Sequence, residues 1–215
     1  MSPSPIPLAT LLVQLSDPNP QVRRQSIKDI LRRRKERAQA FAPLQALLSD
    51  PDQSVSKAAI KALEKLGDRR ALPTLQALLT DQQRSVRLRV DALRALLHLD
   101  RQQPLPHLLI ALQDPGVLVR QTAVEGLKYL RDARAVPLLI AALSDPDRRV
   151  RANVAAALGW LGDTRAVAPL ATALSDVDMQ VRAQAAIALG SLGDGRAVEP
   201  LLVLLSDADP DVRRL

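Results

Sequence analysis

Residues 161–194 read LGDTRAVAPLATALSDVDMQVRAQAAIALGSLGD, and related copies of this stretch recur along the 215-residue chain. Each copy contains a polar turn with an aspartate, such as SDPDRRVR at 144–151 and SDVDMQVR at 175–182. The shared aspartates, spaced by 31 or 33 residues, are Asp17, Asp50, Asp81, Asp114, Asp145, Asp176 and Asp207. Repetition at this period is typical of solenoids, in which every copy forms one supersecondary unit.

The residues around these turns predict two helices in each copy. A leucine followed by glycine closes an apolar period where a helix takes a left-handed glycine cap; these glycines are Gly67, Gly162 and Gly193. Prolines that fit the first turn of the next helix are Pro73, Pro137, Pro169 and Pro200. Suitable N-caps, three residues before a shared valine, are Asp52, Asp147, Asp178 and Asp209. We therefore expect a short helix A and a longer helix B per copy, in an all-α fold.

The pattern LGDxRAVxPLxxxLxDxDxxVRxxAxxALGxLGD, which residues 161–194 fit almost completely, resembles the HEAT-like repeats of phycobilisome (bilin) lyases. The resemblance covers essentially the whole chain. It implies a right-handed superhelical solenoid of about seven helix-turn-helix repeats. We expect one repeat domain over residues 1–215 with an incomplete last repeat, as in a fragment of a longer protein. The resemblance also implies a phycobiliprotein as one candidate partner and a bilin as one candidate cofactor.

Composition excludes several classes of site. Hydrophobic residues make up 47% of the chain but aromatic residues only 1%, so leucine, alanine and valine must fill the core. The chain has no cysteine, which excludes disulfides, thiolate zinc sites and cysteine nucleophiles. No apolar run approaches the roughly 20 residues that span a bilayer, and the N-terminus lacks the basic region of a signal peptide. These features predict a cytoplasmic protein without a membrane partner.

The net positive charge of the chain comes from its first half. Of the formal net charge of +7, residues 1–107 contribute 18 Lys and Arg against 10 Asp and Glu, whereas residues 108–215 contribute 12 against 13. Six basic residues on the predicted B helices form a candidate basic patch: Arg24, Lys28, Arg32, Lys57, Lys61 and Lys65. Such a patch indicates either an anionic partner or a solvated face.

The repeated aspartates and arginines are predicted to be structural. A carboxylate in one turn can bond an arginine of the adjacent repeat, which would give a ladder that includes Asp145, Arg151, Asp176 and Arg182. A catalytic pair would occur once rather than in every copy. Ser56 replaces the arginine in the second repeat, so we expect a gap there.

Helix B can be phased by counting from its shared valine. Offsets 0, 4, 7, 8 and 11 are mostly apolar and form one buried stripe, so offsets 2, 3, 6, 9 and 10 face outward. Because the B helices of such solenoids usually line the concave face, we expect these offsets to face a partner there. Trp160 and Tyr129 both fall at offset 10, roughly 10 Å apart at ordinary helix spacing. The predicted partner-binding residues are Tyr129, Trp160, Ile187, Lys128, Asn153 and Gln184. The alternative is that Trp160 folds over its own glycine-containing helix and fills space.

Three functions remain open on the sequence. The first is a non-catalytic protein-binding scaffold, because repeats and an outward aromatic pair are present and no catalytic set is visible. The second is a bilin lyase subunit or phycobiliprotein-handling factor, which the resemblance implies. The third is duplex nucleic-acid binding through the basic first half, with strongly salt-dependent affinity. His98 and His107 are too few for a metal site, so no metal is expected.

Overall fold

The computed structural model describes residues 6–33, 35–130 and 132–214, and every regular element in those ranges is helical. Short 3-10 turns precede or follow several of the helices. The α-helices are α1 Leu8–Gln14, α2 Pro20–Arg32, α3 Phe41–Ala46, α4 Gln53–Leu66, α5 Leu72–Thr80, α6 Val86–Leu99, α7 Leu105–Leu112, α8 Val117–Leu130, α9 Ala135–Ala142, α10 Arg148–Leu161, α11 Val167–Ala173, α12 Met179–Leu192, α13 Val198–Val203 and α14 Pro210–Arg213. The predicted all-α class is confirmed.

The predicted helix ends are also confirmed. Asp52, Asp147, Asp178 and Asp209 each accept backbone N–H bonds as the N-caps of α4, α10, α12 and α14. Gly67, Gly162 and Gly193 close α4, α10 and α12 with φ of 72°, 72° and 61°. Only glycine adopts this left-handed region without steric cost, so these positions terminate the helices where the sequence places them.

The chain divides into two compact units, residues 1–107 and 108–215. In the first unit the long helices α2, α4 and α6 pack side by side, with α1, α3 and α5 against them. In the second unit α8, α10 and α12 pack in the same way, with α9 and α11 against them. The core of each unit is almost entirely aliphatic, as the composition requires. A single domain over 1–215, the number of repeats and the handedness stay predictions.

A ladder of arginine–aspartate pairs joins consecutive repeats within each unit. Arg151 donates through Nε and Nη2 to both carboxylate oxygens of Asp176, at 2.7 and 2.8 Å, and through Nη1 to the carbonyl oxygen of Asp145. The same bidentate contact joins three other pairs: Arg23 to Asp50, Arg120 to Asp145 and Arg182 to Asp207. Each arginine therefore binds its own turn through a carbonyl and the next turn through a carboxylate.

The gap expected at Ser56 is present and partly filled. The Ser56 hydroxyl donates to the carbonyl oxygen of Asp50 at 3.0 Å, where an arginine donates in other repeats. Arg84 reaches the same carbonyl at 3.1 Å, and its Nε lies 3.4 Å from the Asp81 carboxylate. The next turn is thus stabilised from within by Arg84 instead of by an arginine of α4.

Sequence phasing was wrong in the third repeat. Counted from Asp81 as in the other copies, TDQQRSVR at 80–87 puts Val86 at the shared valine and leaves the two extra residues of this repeat near HLDRQQPLPHL, after helix B. In the structure Ser85 is the N-cap of α6, Leu88 is buried where the shared valine belongs, and Val86 is exposed. Arg89 is buried and donates to the carbonyl oxygen of Arg84, as ladder arginines do toward their own turns. The insertion therefore lies in the turn between Asp81 and Leu88, and every offset in α6 moves by two residues.

A second set of arginine–aspartate contacts was missed by sequence reasoning. In four copies the aspartate of the LGD or LRD motif accepts the backbone N–H of the arginine two residues later and pairs with its side chain, and in three of them it caps a 3-10 helix. These pairs are Asp68 with Arg70, Asp132 with Arg134, Asp163 with Arg165, and Asp194 with Arg196. Arg165 and Arg196 also donate to carbonyl oxygens of the preceding repeat, Ala133 and Thr164. The sequence signal for these contacts was the arginine that recurs two residues after the aspartate in each of the four copies.

These pairs lower the pKa of their carboxyl groups. Hydrogen bonds from the Arg196 side chain and backbone lower the pKa of Asp194 to about 2. The pKa values of Asp68, Asp132 and Asp163 are lowered for the same reason, by the side-chain hydrogen bond of the following arginine first. Hydrogen bonds to the ionised form stabilise it, so these turns favour a charged carboxylate.

Candidate partner-binding site

Two of the three aromatic side chains lie together on the surface of the second unit. Tyr129 near the end of α8 is 66% exposed, and Trp160 near the end of α10 is 43% exposed. Their ring centroids are 6.4 Å apart, with an interplanar angle of 69°, which is an edge-to-face contact. The rings are closer than helix spacing alone predicts, because the side chains extend across the gap between the helices.

Lys128 lies beside both rings. Its Nζ is 5.6 Å from the Trp160 ring centroid and 5.9 Å from that of Tyr129. Each of these distances permits a cation–π attraction, which contributes about 0.5–1 kcal/mol at exposed sites. The edge-to-face ring pair contributes roughly 0.5–1.5 kcal/mol more. The three side chains therefore contact one another as a group on the surface.

The local backbone brings α10 and α12 unusually close beside Trp160. Gly159 is buried, and a Cβ built there would lie 2.7 Å from both the Cα and the Cβ of Ala188. Gly190 occupies the equivalent position of α12 and has open space around it. The glycine before the tryptophan is thus required by helix packing, while the glycine one repeat later is not.

The other predicted partner-binding residues lie at the predicted offsets of the same three helices. Ile187 is 47% exposed and Asn153 is exposed, whereas Lys128 and Gln184 are half-buried. Not every outward offset is accessible: Thr122 and Ala152 are buried, and the Thr122 hydroxyl donates to the carbonyl oxygen of Leu118. We use "aromatic patch" for Tyr129, Trp160 and Ile187, with Lys128, Asn153 and Gln184 as its polar rim.

A cavity of about 390 Å³ lies on the side of Trp160 toward the A helices. Ala133, Val136, Leu161 and Asp163 line it together with Trp160. The Asp163 carboxylate is held by Arg165, and that contact lowers its pKa. One part of the indole therefore borders this half-open pocket, and another part is open to solvent.

The predicted basic patch lies in the first unit. Lys28, Arg32, Lys61 and Lys65 are exposed, while Arg24 and Lys57 are half-buried. Three of the six residues have partners of their own: Arg32 pairs with Asp29, Lys57 pairs with Asp91, and Arg24 donates to the Ser54 hydroxyl.

The histidines occupy different environments. His107 is buried, with Nε2 3.3 Å from the Asp100 carboxylate, which also binds Arg69. His98 is exposed, with Nδ1 3.8 Å from Glu64.

Within residues 6–33, 35–130 and 132–214 no three His, Cys, Asp or Glu side chains are grouped to hold a metal ion. Over the same ranges, none of the helices has the length and apolar character needed to cross a membrane.

The alternating short and long helices, joined by arginine–aspartate contacts between repeats, define an α-helical repeat scaffold. The family model for HEAT repeats matches residues 8–96, 105–178 and 168–215, and this chain belongs to the HEAT-repeat family. No curated protein matched the chain in a sequence search.

Several solved structures are similar to this chain. The complex of CpcE and CpcF of phycocyanin lyase from Nostoc is 28% identical, with a TM-score of 0.54 over 81% of this chain and 73% of that chain. The Escherichia coli protein YibA is 20% identical, with a TM-score of 0.62 over 94% of this chain and 77% of that chain. An engineered protein is 19% identical, with a TM-score of 0.53 over 96% of this chain and 66% of that chain. The last two likenesses show the fold alone.

Proposed function

We propose that this chain is a non-catalytic scaffold that binds another protein through the aromatic patch. The observation that carries the proposal is the exposed, edge-to-face pair of Tyr129 and Trp160 in a chain with only three aromatic residues. Tryptophan and tyrosine are enriched among the residues that contribute most to protein–protein binding. Exposed apolar groups that cluster around such anchors mark interaction sites more often than scattered ones do.

The geometry of the patch suits a binding role. The ring pair and Lys128 contact one another, and contacts of this kind reduce the side-chain entropy that is lost when a partner docks. Asn153 and Gln184 lie at outward offsets of α10 and α12 and offer hydrogen-bonding groups, as polar residues do around an apolar interface core. The space-filling alternative for Trp160 fits poorly with a side chain that stays 43% exposed beside a cavity it does not fill.

The recurring acid–base pairs support a structural rather than a catalytic use of charge. Both oxygens of Asp176 are taken by Arg151, and both oxygens of Asp207 are taken by Arg182. A carboxylate that is held by two charge-assisted hydrogen bonds is a weak general base. The ladder therefore rigidifies the scaffold that displays the patch.

Affinity capture from native lysate with paired variants tests the proposal. The combined substitution Tyr129→Ala and Trp160→Ala removes the anchors without opening the core, and we expect the captured partner to be lost. The matched control is Leu118→Ala with Val177→Ala, which truncates exposed apolar residues of the same unit outside the patch. Circular dichroism checks that both proteins stay folded. Equal recovery of every partner by the two variants would exclude the patch.

A second candidate function is that of a bilin lyase subunit that handles a phycobiliprotein. The observation that favours it is the 28% identity to the CpcE and CpcF complex of phycocyanin lyase over 81% of this chain. Phycocyanobilin added to the protein would then show a shifted absorbance band and quench the emission of Trp160. An unchanged spectrum at saturating pigment, with unquenched emission, would exclude this candidate.

A further inference from the structure

The corrected phasing of α6 reveals a row of cations on the first unit. Lys28, Lys61 and Arg94 each lie six residues after the position of the shared valine, at Val22, Val55 and Leu88. All three side chains are exposed, and none has a carboxylate within ion-pair distance among the residues that the structure describes. We call Lys28, Lys61 and Arg94 the cationic row.

The three cations lie on adjacent helices of one layer. Helix α2 packs on α4, and α4 packs on α6. Side-chain contacts link the same faces: Arg24 donates to the Ser54 hydroxyl at 3.2 Å, and Lys57 lies 3.6 Å from Asp91. Because packed helix axes are about 8–10 Å apart, the row places a positive charge roughly every 10 Å across the layer.

Carboxylates near the row help to distinguish a nucleic acid from an acidic protein as its partner. Asp29 and Asp91 are paired with Arg32 and Lys57, and Glu64 lies 3.8 Å from His98. These carboxylates belong to the same three helices as the row, and they would repel the dense phosphates of a nucleic acid. A nucleic acid carries a charge every few ångströms, whereas the row, even with the exposed Lys65 one helical turn beyond Lys61, offers fewer charges at wider spacing. An anionic partner with equally wide spacing fits better.

An acidic helix has this spacing. Residues seven apart in an α-helix lie on one face and about 10.5 Å apart along the axis. We propose that the cationic row binds an acidic helix of a partner protein, laid across α2, α4 and α6, with one carboxylate per heptad opposite each cation. This surface is separate from the aromatic patch and does not depend on it.

Peptide binding to the full chain tests the proposal. The probe is a fluorescent, stapled helical peptide of about three heptads with one glutamate per heptad, and its control has the same composition with the glutamates adjacent. We expect the heptad-spaced peptide to bind more tightly, with affinity that falls as salt rises. A short duplex DNA serves as the third probe. Tyr129→Ala with Trp160→Ala should leave peptide binding unchanged, which separates this surface from the proposed function.

Two arginines of α6 provide the matched variants. Arg94 belongs to the row, whereas Arg87 is also exposed but lies outside it. Arg94→Glu should weaken peptide binding about fivefold, and Arg87→Glu by less than about twofold. Lys28→Gln, Lys61→Gln and Arg94→Gln together should abolish binding without introducing repulsion. Equal binding of both peptides, equal effects of the two arginine variants, or tighter Arg94-dependent binding of the duplex would each overturn the proposal.

Discussion

Gly159 and Gly190 offer a paired test of how the second unit packs. They occupy the same offset in α10 and α12, but a Cβ at Gly159 would lie 2.7 Å from Ala188, whereas a Cβ at Gly190 meets nothing within 4 Å. Ordinary carbon contacts are about 3.5–4.0 Å. Gly159→Ala must therefore push the two helices apart by close to an ångström or strain the backbone.

The two substitutions should change the free energy of unfolding in opposite directions. Overpacking costs about 1–3 kcal/mol, and the higher helix propensity of alanine offsets up to about 1 kcal/mol of it. We expect Gly159→Ala to lower the free energy of unfolding by about 1–2 kcal/mol and Gly190→Ala to raise it by about 0.5–1 kcal/mol.

Scanning calorimetry and urea denaturation would measure both variants. For a chain of this size the thermal midpoint moves by about 2–4 °C per kcal/mol, so the pair should differ by several degrees. Equal stabilisation by the two alanines would show that α10 and α12 do not approach closely at Gly159, and it would refute the packing described beside Trp160.

Three further predictions follow from the contacts of the turns and the patch. Arg151→Ala should lower the free energy of unfolding by about 1.5–3 kcal/mol, because it leaves the mostly buried Asp176 carboxylate without its bidentate partner. The control is Arg148→Ala, which removes an exposed pair with Asp178 and should lower the free energy of unfolding by less than about 1 kcal/mol. Urea titration measures both variants. Acid should destabilise the fold, because four carboxyl groups have a lowered pKa in the folded state: Asp68, Asp132, Asp163 and Asp194. Their contribution to stability is fully present above the ordinary aspartate pKa near 3.8. It is lost as the pH falls toward about 2, where Asp194 titrates. A thermal midpoint that is independent of pH between those values would contradict these contacts. Trp160 is the only tryptophan, so the emission of the chain reports on this side chain alone. Because the indole is partly exposed, acrylamide should quench it readily, and Lys128→Ala should increase the quenching by loosening the ring pair. A blue-shifted emission that resists acrylamide would place the indole in the core.

Most of the helical framework could be predicted from the sequence. The caps and glycines are local signals, so Asp147 and Gly162 mark the ends of α10 without any tertiary information. The period of the shared aspartates predicts stacking of equivalent helices and arginine–aspartate contacts between adjacent repeats, of which the structure shows the bidentate contact of Arg151 with Asp176.

The third repeat shows where this reasoning fails. Its TDQQRSVR turn contains a valine and an arginine in the expected order, so Val86 imitates the shared valine, although Leu88 and Arg89 occupy those positions. Only burial distinguishes the two registers. The close approach at Gly159 was also unpredictable, because Gly190 stands at the same offset and has free space. The separation of the Tyr129 and Trp160 rings depends on side-chain conformation, which helix periodicity does not contain.

Photocrosslinking at the aromatic patch tests the central claim most directly. A photoreactive phenylalanine derivative at Tyr129 probes the patch, and the same group at Val177, which is 94% exposed on a turn of the same unit, serves as the control. Binding through the patch predicts one discrete protein adduct from native lysate at position 129 and none at 177. Excess unmodified chain should compete the adduct away, whereas a competitor carrying Trp160→Ala should not. Matching adducts at both positions, or equal competition by the two chains, would contradict the assignment of the patch.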